Sequence, residues 1–171
     1  MFRVALVNNI IDQIETYKLD GIQNAANGIG PMGAGIAGAI RKSAGIEVQT
    51  EAFEVCRRLD PQVGTSYSTG AGQLAKRGIK RIIHAVTMKA PNGATTLEGI
   101  ERAFEASIAL AISEGITCLG CTALGTGVGG LSFTDVGFAM AKIAETYEAS
   151  IDLVFLDRNQ QFYDALKEYL I

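Results

Sequence analysis

Glycine is the residue type whose placement most directly suggests a chemical role in this sequence. Of the 20 glycines, many fall into two clusters, residues 28–38 and 125–130. The first cluster opens a predicted helix that runs to about Ala44, with Gly45 as its C-terminal stop. That helix has no Ser, Thr, Asp or Asn at its N-cap, so its first N–H groups lack a side-chain acceptor. Such a helix start favours phosphate binding; the alternative is a packing loop whose N–H groups face solvent.

The second cluster follows the apolar segment 116–124, and the helix after it has its own N-cap candidate in Ser132. In this loop the backbone N–H groups, arranged as a nest, would hold an anion. Two such loops at one edge of a sheet suit a ligand with two adjacent phosphates. Both clusters also match G-x-G-x-x-G, which alone is a weak indicator of a Rossmann dinucleotide site.

The context of the glycines disfavours the Rossmann interpretation. Gly33 lies nine residues after Asn24 with Pro31 between them, whereas a Rossmann glycine comes directly off its strand. Neither match is followed about twenty residues later by a convincing acid at a strand end. A P-loop is excluded because no Gly-Lys-Ser/Thr follows either cluster.

The other reactive side chains indicate structural roles. His84, the only histidine, lies in an apolar segment, where a core histidine bonded to a neighbour is the more common situation. Cys118 and Cys121 have redox or metal spacing, but they lie in a strand-like run without a second ligand pair, so buried thiols are expected. No zinc site, Ser-His-Asp set or pair of carboxylates for acid–base catalysis can be assembled. We therefore expect no metal and no cofactor.

The hydrophobic pattern predicts the elements that would position the two loops. Apolar runs of strand length alternate with amphipathic helical segments, which indicates a largely parallel sheet covered on both faces. The expected strands are residues 2–7, 21–24, 82–86, 116–124 and 151–156, and the expected helices lie at 35–44, at 47–59, after a capping box at 95–98, after Ser132, and around 162–169. The polar region 67–74 is expected as an edge strand or a loop. The predicted fold class is a three-layer α/β/α sandwich with a mixed, mostly parallel six- to seven-stranded sheet.

Composition limits the classes of function. The 171 residues fit a single domain over residues 1–171, and no apolar run has membrane-spanning length. A net charge of −3 argues against nucleic acid as a partner, because such binding needs cations massed on one face. Three cysteines and an N-terminus that reads as a strand favour a reducing compartment, so the cytoplasm is expected.

Two short strings enclose the first glycine cluster: QNAAN at residues 23–27 and, after seven residues, GIAGAI at 35–40. Together they resemble the signature of the macrodomain family, in which an Asn-Ala-Ala-Asn strand end leads to a glycine run and a helix. The similarity continues in register. Asp20 stands shortly before the strand end, IIHAV at 82–86 resembles the core strand, and LGTGVGGL at 124–131 resembles the second phosphate loop.

The resemblance implies a cleft for ADP-ribose or a close derivative at one edge of the sheet. The residues it assigns to the diphosphate and distal ribose are Gly33, Ala34, Gly35, Ile36 and Ala37 on one side and Gly125, Thr126, Gly127, Val128 and Gly129 on the other; Gln13, Ile14 and Leu156 fall at the adenine end. Asn27 would carry its amide to hydroxyls of the distal ribose and is the one candidate for the catalytic position; the alternative is a turn former at a strand end. Asn24 is assigned mostly to holding the loop's own backbone.

Departures from the family pattern affect both activity and base recognition. Ala37 stands where many ADP-ribosyl hydrolases of the family carry an Asp that orients the attacking water. Gln13 replaces the acid that reads adenine, and neutral hydrogen bonds are weaker than charge-assisted ones. Gly129 and Leu156 replace aromatic residues, each loss removing about 1 kcal/mol of stacking. Phosphate binding is thus expected to be intact and base recognition weakened.

Two hypotheses follow from the resemblance. The first is a domain that binds ADP-ribose and also hydrolyses ADP-ribose 1″-phosphate, O-acetyl-ADP-ribose or mono-ADP-ribosyl protein. The second is a non-catalytic reader of ADP-ribosylated or poly-ADP-ribosylated partner proteins, which Ala37 favours.

Overall fold

The computed structural model describes residues 1–170. Its six strands are β1 Phe2–Leu6, β2 Gly21–Asn27, β3 Ser66–Thr69, β4 Arg81–Met88, β5 Cys118–Cys121 and β6 Asp152–Asp157. Its α-helices are α1 Ile14–Tyr17, α2 Gly35–Ala44, α3 Ile46–Leu59, α4 Leu97–Ser113, α5 Phe133–Thr146 and α6 Gln160–Leu170. Two 3-10 helices, Ile10–Gln13 and Gly72–Arg77, complete the regular structure of this range.

The strands form one sheet in the order β1-β6-β5-β2-β4-β3. All pairings are parallel except that of β3 with β4, which is antiparallel. The predicted mixed, mostly parallel α/β sandwich is therefore confirmed, with six strands in residues 1–170. The polar region 67–74 divides between the edge strand β3, where Tyr67 and Thr69 are buried and Ser68 is half-buried, and the 3-10 helix that follows it.

The hydrophobic core lies in two layers, one on each face of the sheet. Successive strand residues point to opposite faces, so Ile82 packs in the layer containing Ile40 of α2, while Ile83 packs in the layer containing Phe104 of α4. Both isoleucines are fully buried. Burial on both faces explains why the central strands read as continuous apolar runs and not as alternating ones.

Hydrogen bonds fix the starts of the two helices that follow β4 and β5. Ser132 accepts the N–H of Asp135 at 3.3 Å, which confirms it as the N-cap of α5. In α4 the N-cap is Thr96, whose hydroxyl accepts the N–H of Gly99 at 3.0 Å. The N-cap expected at Thr95 is therefore displaced by one residue, and because Gly99 has no side chain to return a hydrogen bond, the helix has a simple N-cap and not the expected capping box.

Because five of the strands are parallel, their carboxyl ends lie along one edge of the sheet. The loops that leave this carboxyl edge are the segments in which ligands bind such sheets. Among the described residues, no helix is both long and apolar enough to cross a membrane.

Candidate functional site

The structure brings the two glycine clusters to the same place. The first glycine loop, residues 28–34, leaves β2, and the second glycine loop, residues 122–131, leaves β5. These strands are neighbours and run parallel, with Ile22 opposite Gly120. Both loops therefore leave adjacent strands at the carboxyl edge. This places them close enough together to contact the same ligand.

The first glycine loop ends in a helix start without a side-chain cap. The N-cap of α2 is Ala34, whose side chain cannot accept a hydrogen bond, and the first local backbone bond runs from Gly38 N to Ala34 O at 3.0 Å. Within residues 1–170, the N–H groups of residues 33–37 have no acceptor in hydrogen-bonding geometry. Gly33, Ala34 and Gly35 are exposed. The helix therefore presents a cluster of bare amides with its positive dipole end toward solvent.

Ile36 and Ala37 contribute to this cluster through their backbone only. Ile36 is half-buried and Ala37 is 9% exposed, and the side chains of both face the apolar layer that contains Ile40. Ala37 thus supplies an N–H group and no catalytic side chain.

Internal packing and backbone strain explain some of the glycines but not all. Gly35 and Gly125 have φ of +59° and +71°, a conformation that favours glycine. Gly33 and Gly127 are exposed, lie outside that left-handed region, and would have no atom within 4 Å of an added Cβ. Neither backbone conformation nor packing within the protein demands glycine at these two positions, one in each loop. A molecule that approaches the backbone closely would demand it.

The second glycine loop is closed by its own backbone. Leu131 N donates to Gly125 O at 3.1 Å, and Gly130 N donates to Gly127 O at 3.0 Å. The N–H groups of residues 126–129 have no acceptor among the described residues, so they are free to bind an anion, as the sequence predicts for this loop. Val128 is 68% exposed at the tip of the loop.

The structure also explains why position 129 has no aromatic side chain. A Cβ on Gly129 would lie 2.6 Å from Gly125 O and 2.9 Å from the hydroxyl of Thr95. The loop before α4 therefore packs under the second glycine loop and leaves no room for a side chain there.

The structure gives Asn27 the loop-holding role that was expected of Asn24. Asn27 at the end of β2 holds the first glycine loop: its Oδ1 accepts the N–H groups of Ile29 at 3.0 Å and Gly30 at 2.8 Å, and its Nδ2 donates to Pro31 O at 3.1 Å. The expectation that Asn24 holds the loop backbone is wrong. Asn24 is 1% exposed and its Nδ2 lies 3.0 Å from His84 Nδ1 inside the sheet, so it does not reach the carboxyl edge.

His84 is confirmed as a core residue. It is fully buried, its Nε2 lies 2.9 Å from the hydroxyl of Thr69, and its ring stacks on that of Tyr67 with centroids 4.6 Å apart. Burial disfavours the imidazolium form and lowers the pKa of His84 to about 3, so the ring is neutral at physiological pH.

At the expected adenine end, two of the three predicted ligand-binding residues have buried side chains. Ile14 and Leu156 are each 1% exposed and pack in the apolar layer with Ile40, because the strand and helix periodicity turns both side chains inward. Only their backbone could face a ligand. Gln13 is half-buried at the start of α1 and makes no side-chain cap bond, so its amide stays available.

Asp157 is a site residue that the sequence reasoning missed. At the end of β6, its Oδ2 accepts Ala123 N and its Oδ1 accepts Asn159 N, both at 3.0 Å, which ties the root of the second glycine loop to the neighbouring strand. The sequence contains a signal for it, because Asp157 is an acidic residue at the end of an apolar strand segment. Gln49 of α3 does the same for the first glycine loop by accepting Met32 N at 2.8 Å.

The remaining candidates lie away from the carboxyl edge. Asp20, at the opposite end of β2, accepts the N–H groups of Thr117 and Cys118 and pairs with Lys80. Its partial burial acts to raise the pKa of Asp20, but the hydrogen bonds from these residues outweigh that effect and lower it. Cys118 and Cys121 are buried free thiols on opposite faces of the sheet, as expected, so they cannot act as a pair. Within residues 1–170, no three His, Cys, Asp or Glu side chains cluster as metal ligands.

Several known proteins are similar in sequence to this chain over most of its length. An uncharacterized protein of Aquifex aeolicus is 29% identical over 169 residues, covering 98% of this chain and 97% of the relative. The non-structural polyprotein p200 of Rubella virus (strain BRDII) is 34% identical over 161 residues, covering 89% of this chain but only 7% of the polyprotein.

Solved macrodomain structures share the fold. The macrodomain of Mycobacterium tuberculosis DarG has a TM-score of 0.75 at 23% identity, covering 93% of this chain and 99% of that one. A mutant Oceanobacillus iheyensis macrodomain with ADPR has a TM-score of 0.80 at 20% identity, covering 98% and 90%. The Trypanosoma brucei macrodomain in complex with ADP-ribose has a TM-score of 0.74 at 22% identity, covering 99% and 69%.

The family model described as Macro domain matches residues 23–140, a range that contains both glycine loops. Because this match covers more than half of the chain, and because the fold and the glycine loops agree with it, the protein belongs to the Macro domain family.

Proposed function

We propose that the protein binds ADP-ribose or an ADP-ribose derivative, with the diphosphate held between the two glycine loops. The observation that carries the proposal is the pair of bare amide clusters, residues 33–37 and 126–129, which follow two adjacent parallel strands. Gly33 and Gly127 support it, because no internal contact accounts for glycine at either position. The O. iheyensis and T. brucei macrodomains of the same fold are described with ADPR and ADP-ribose.

The strand order suggests how such a ligand would lie. Gln13 follows β1 at one end of the sheet, and the two glycine loops follow β5 and β2 nearer the other end. An adenine at Gln13 and a diphosphate at the loops would place the distal ribose toward β2 and β4. Asn27 would contact this ribose with the second hydrogen of its Nδ2, since its Oδ1 is already occupied by two N–H groups.

Binding without turnover is the second candidate, and specific observations favour it. Ala37 offers no carboxylate, and Asp157, the acid tied to the second glycine loop, already accepts an N–H on each oxygen. If turnover occurs, the nucleophile would be a water held by the loop amides and activated by the phosphate of the substrate. Otherwise the domain acts as a reader of ADP-ribosylated proteins.

Isothermal titration with ADP-ribose tests the binding proposal, with AMP and ribose 5-phosphate as controls for each half of the ligand. Binding of ADP-ribose, and much weaker binding of either half, is expected because only the intact ligand spans both loops. Absence of heat with millimolar ADP-ribose would overturn the proposal. Incubation with ADP-ribose 1″-phosphate, O-acetyl-ADP-ribose and a mono-ADP-ribosylated protein, followed by mass spectrometry, then distinguishes an enzyme from a reader.

A further inference from the structure

A groove lies beside the first glycine loop, on the side away from the second. It is lined by Ile29 from the loop, by Phe53, Cys56, Arg57 and Asp60 from α3 and its end, and by Lys89 after β4, and it has a volume of about 390 Å³. We call it the flanking groove. Its volume falls in the range of ordinary ligand pockets, and none of the site interactions described above uses its side chains.

The walls of the flanking groove are apolar and open to solvent. Ile29 is 45% exposed and Phe53 is 43% exposed, although both belong to the large hydrophobic residues that proteins usually bury. Cys56, which is 4% exposed, contributes to the floor. Two large exposed apolar side chains that face one cavity leave apolar surface that a bound partner would remove from water.

The charges of the flanking groove favour an acidic occupant. Lys89 pairs with Asp60 and also donates to Pro61 O at 3.1 Å, so these two charges neutralise each other. Arg57 makes no ion pair within residues 1–170 and leaves the groove with an excess positive charge, in a chain whose net charge is −3. A small cationic groove on an acidic protein attracts acidic and not basic segments.

The position of the flanking groove connects it to the proposed ligand. Ile29 follows β2 and Lys89 follows β4, and in the sheet order β1-β6-β5-β2-β4-β3 these strands lie on the side opposite the expected adenine end. Gly28 N donates to Lys89 O at 3.0 Å, which joins the wall of the groove to the strand end that carries Asn27. A group attached to the distal ribose would therefore leave the site toward the groove.

From these contacts we propose that the flanking groove binds the polypeptide segment to which an ADP-ribose is attached, with preference for an acidic segment. The inference rests on the proposed function, since the ADP-ribose must occupy the two glycine loops for its attachment point to face the groove. It adds to the proposed function a contact between the groove and the carrier polypeptide, beyond the ADP-ribose itself.

The test compares three probes: free ADP-ribose and two ten-residue peptides, one acidic and one basic, each carrying ADP-ribose on a serine. Kd values are measured by fluorescence anisotropy at 4 °C, and mass spectrometry confirms that the link stays intact. The acidic conjugate is expected to bind about fivefold more tightly than free ADP-ribose, the effect of covering the exposed part of one Phe side chain. The basic conjugate is expected to gain less.

Two variants on the solvent side of α3 separate the groove from the loops. Phe53→Ala is expected to raise the Kd of the acidic conjugate toward that of free ADP-ribose, and Arg57→Glu is expected to reverse the preference between the two peptides. Neither should change the Kd of free ADP-ribose by as much as twofold, and thermal unfolding checks that both variants fold.

Failure of the inference and failure of the proposed function give different results. Equal Kd values for the conjugates and free ADP-ribose in the wild type would overturn the groove proposal and leave ADP-ribose binding intact. No binding of any probe would overturn both. Concentration-dependent dimerisation that Phe53→Ala abolishes, seen by analytical ultracentrifugation, would assign the groove to a second copy of the chain and also overturn the inference.

Discussion

Replacing Gly33 or Gly127 by Glu should abolish most ADP-ribose binding while leaving the fold nearly unchanged. These two positions are the cleanest in the chain for such a test, because an added Cβ would have no atom within 4 Å and the backbone is not left-handed. Removing a glycine also lowers the entropy of the unfolded chain. The free energy of unfolding of each variant is therefore expected within about 0.5 kcal/mol of the wild-type value.

The expected loss of affinity follows from the charge introduced beside the amides. A carboxylate about 5 Å from a ligand phosphate costs about 1–3 kcal/mol for each charge pair, between the screening of water and that of a protein surface. This corresponds to an increase in Kd of roughly 5- to 150-fold. Gly35→Glu would give a less clean result, because φ of +59° at that position adds backbone strain to the electrostatic effect.

The assay is isothermal titration with ADP-ribose at low and moderate salt, with chemical denaturation of each apo variant beside it. Ala75→Glu is the matched control: Ala75 is exposed in the 3-10 helix Gly72–Arg77, which precedes the amino end of β4, and the substitution adds the same charge. Its Kd should stay within twofold of the wild-type value. If Gly33→Glu and Gly127→Glu bind as well as Ala75→Glu, the bare amides do not hold the diphosphate and the reasoning is refuted.

Three further predictions concern the pH dependence and the two strand ends of β2. Burial lowers the pKa of His84 to about 3 from 6.5, so between these pH values the unfolded chain binds a proton that the folded chain does not, and the free energy of unfolding should fall by about 1.4 kcal/mol per pH unit as the pH drops below about 6.5. Urea denaturation between pH 7.5 and 4.5 should show this slope in the wild type and not in His84→Gln. An equal slope in both proteins would contradict the assignment. Asp20→Ala should lower the free energy of unfolding by about 1–3 kcal/mol, because the N–H groups of Thr117 and Cys118 lose their acceptor. The Kd of this variant for ADP-ribose should not change, and a large change would mean that the amino edge of the sheet affects the site. Asn27→Ala removes three hydrogen bonds that hold the first glycine loop and should raise the Kd for ADP-ribose about tenfold. An unaltered Kd, measured by titration, would show that the loop needs no such support.

Much of the fold and the position of the two loops that form the candidate site could be predicted from the sequence because they depend on local patterns. The apolar strand segments and the helical periods predicted a mostly parallel sheet covered on both faces. The missing N-cap before α2 and the stop at Gly45 are properties of neighbouring residues, and both appear in the structure. The glycine clusters indicated two loops, and the parallel strand pattern placed them at one edge of the sheet.

Residue roles that depend on orientation required the tertiary structure. The segment 23–27 predicts a strand that ends in asparagine, but only the pairing with β4 shows that Asn24 meets His84 while Asn27 turns back to hold the loop. Leu156 lies near the expected adenine end in sequence, yet the alternation of β6 turns its side chain into the core.

Contacts between segments far apart in the chain were also beyond the sequence. The packing of Thr95 under Gly129 explains why no aromatic side chain occupies that position, and it joins two loops more than 30 residues apart. The flanking groove is assembled from Ile29, from α3 and from Lys89. Composition and periodicity predict which residues are buried and which element each one belongs to, because burial and secondary structure depend largely on a residue and its sequence neighbours. Which side chains meet across the fold is decided only when the sheet sets the strand order and register.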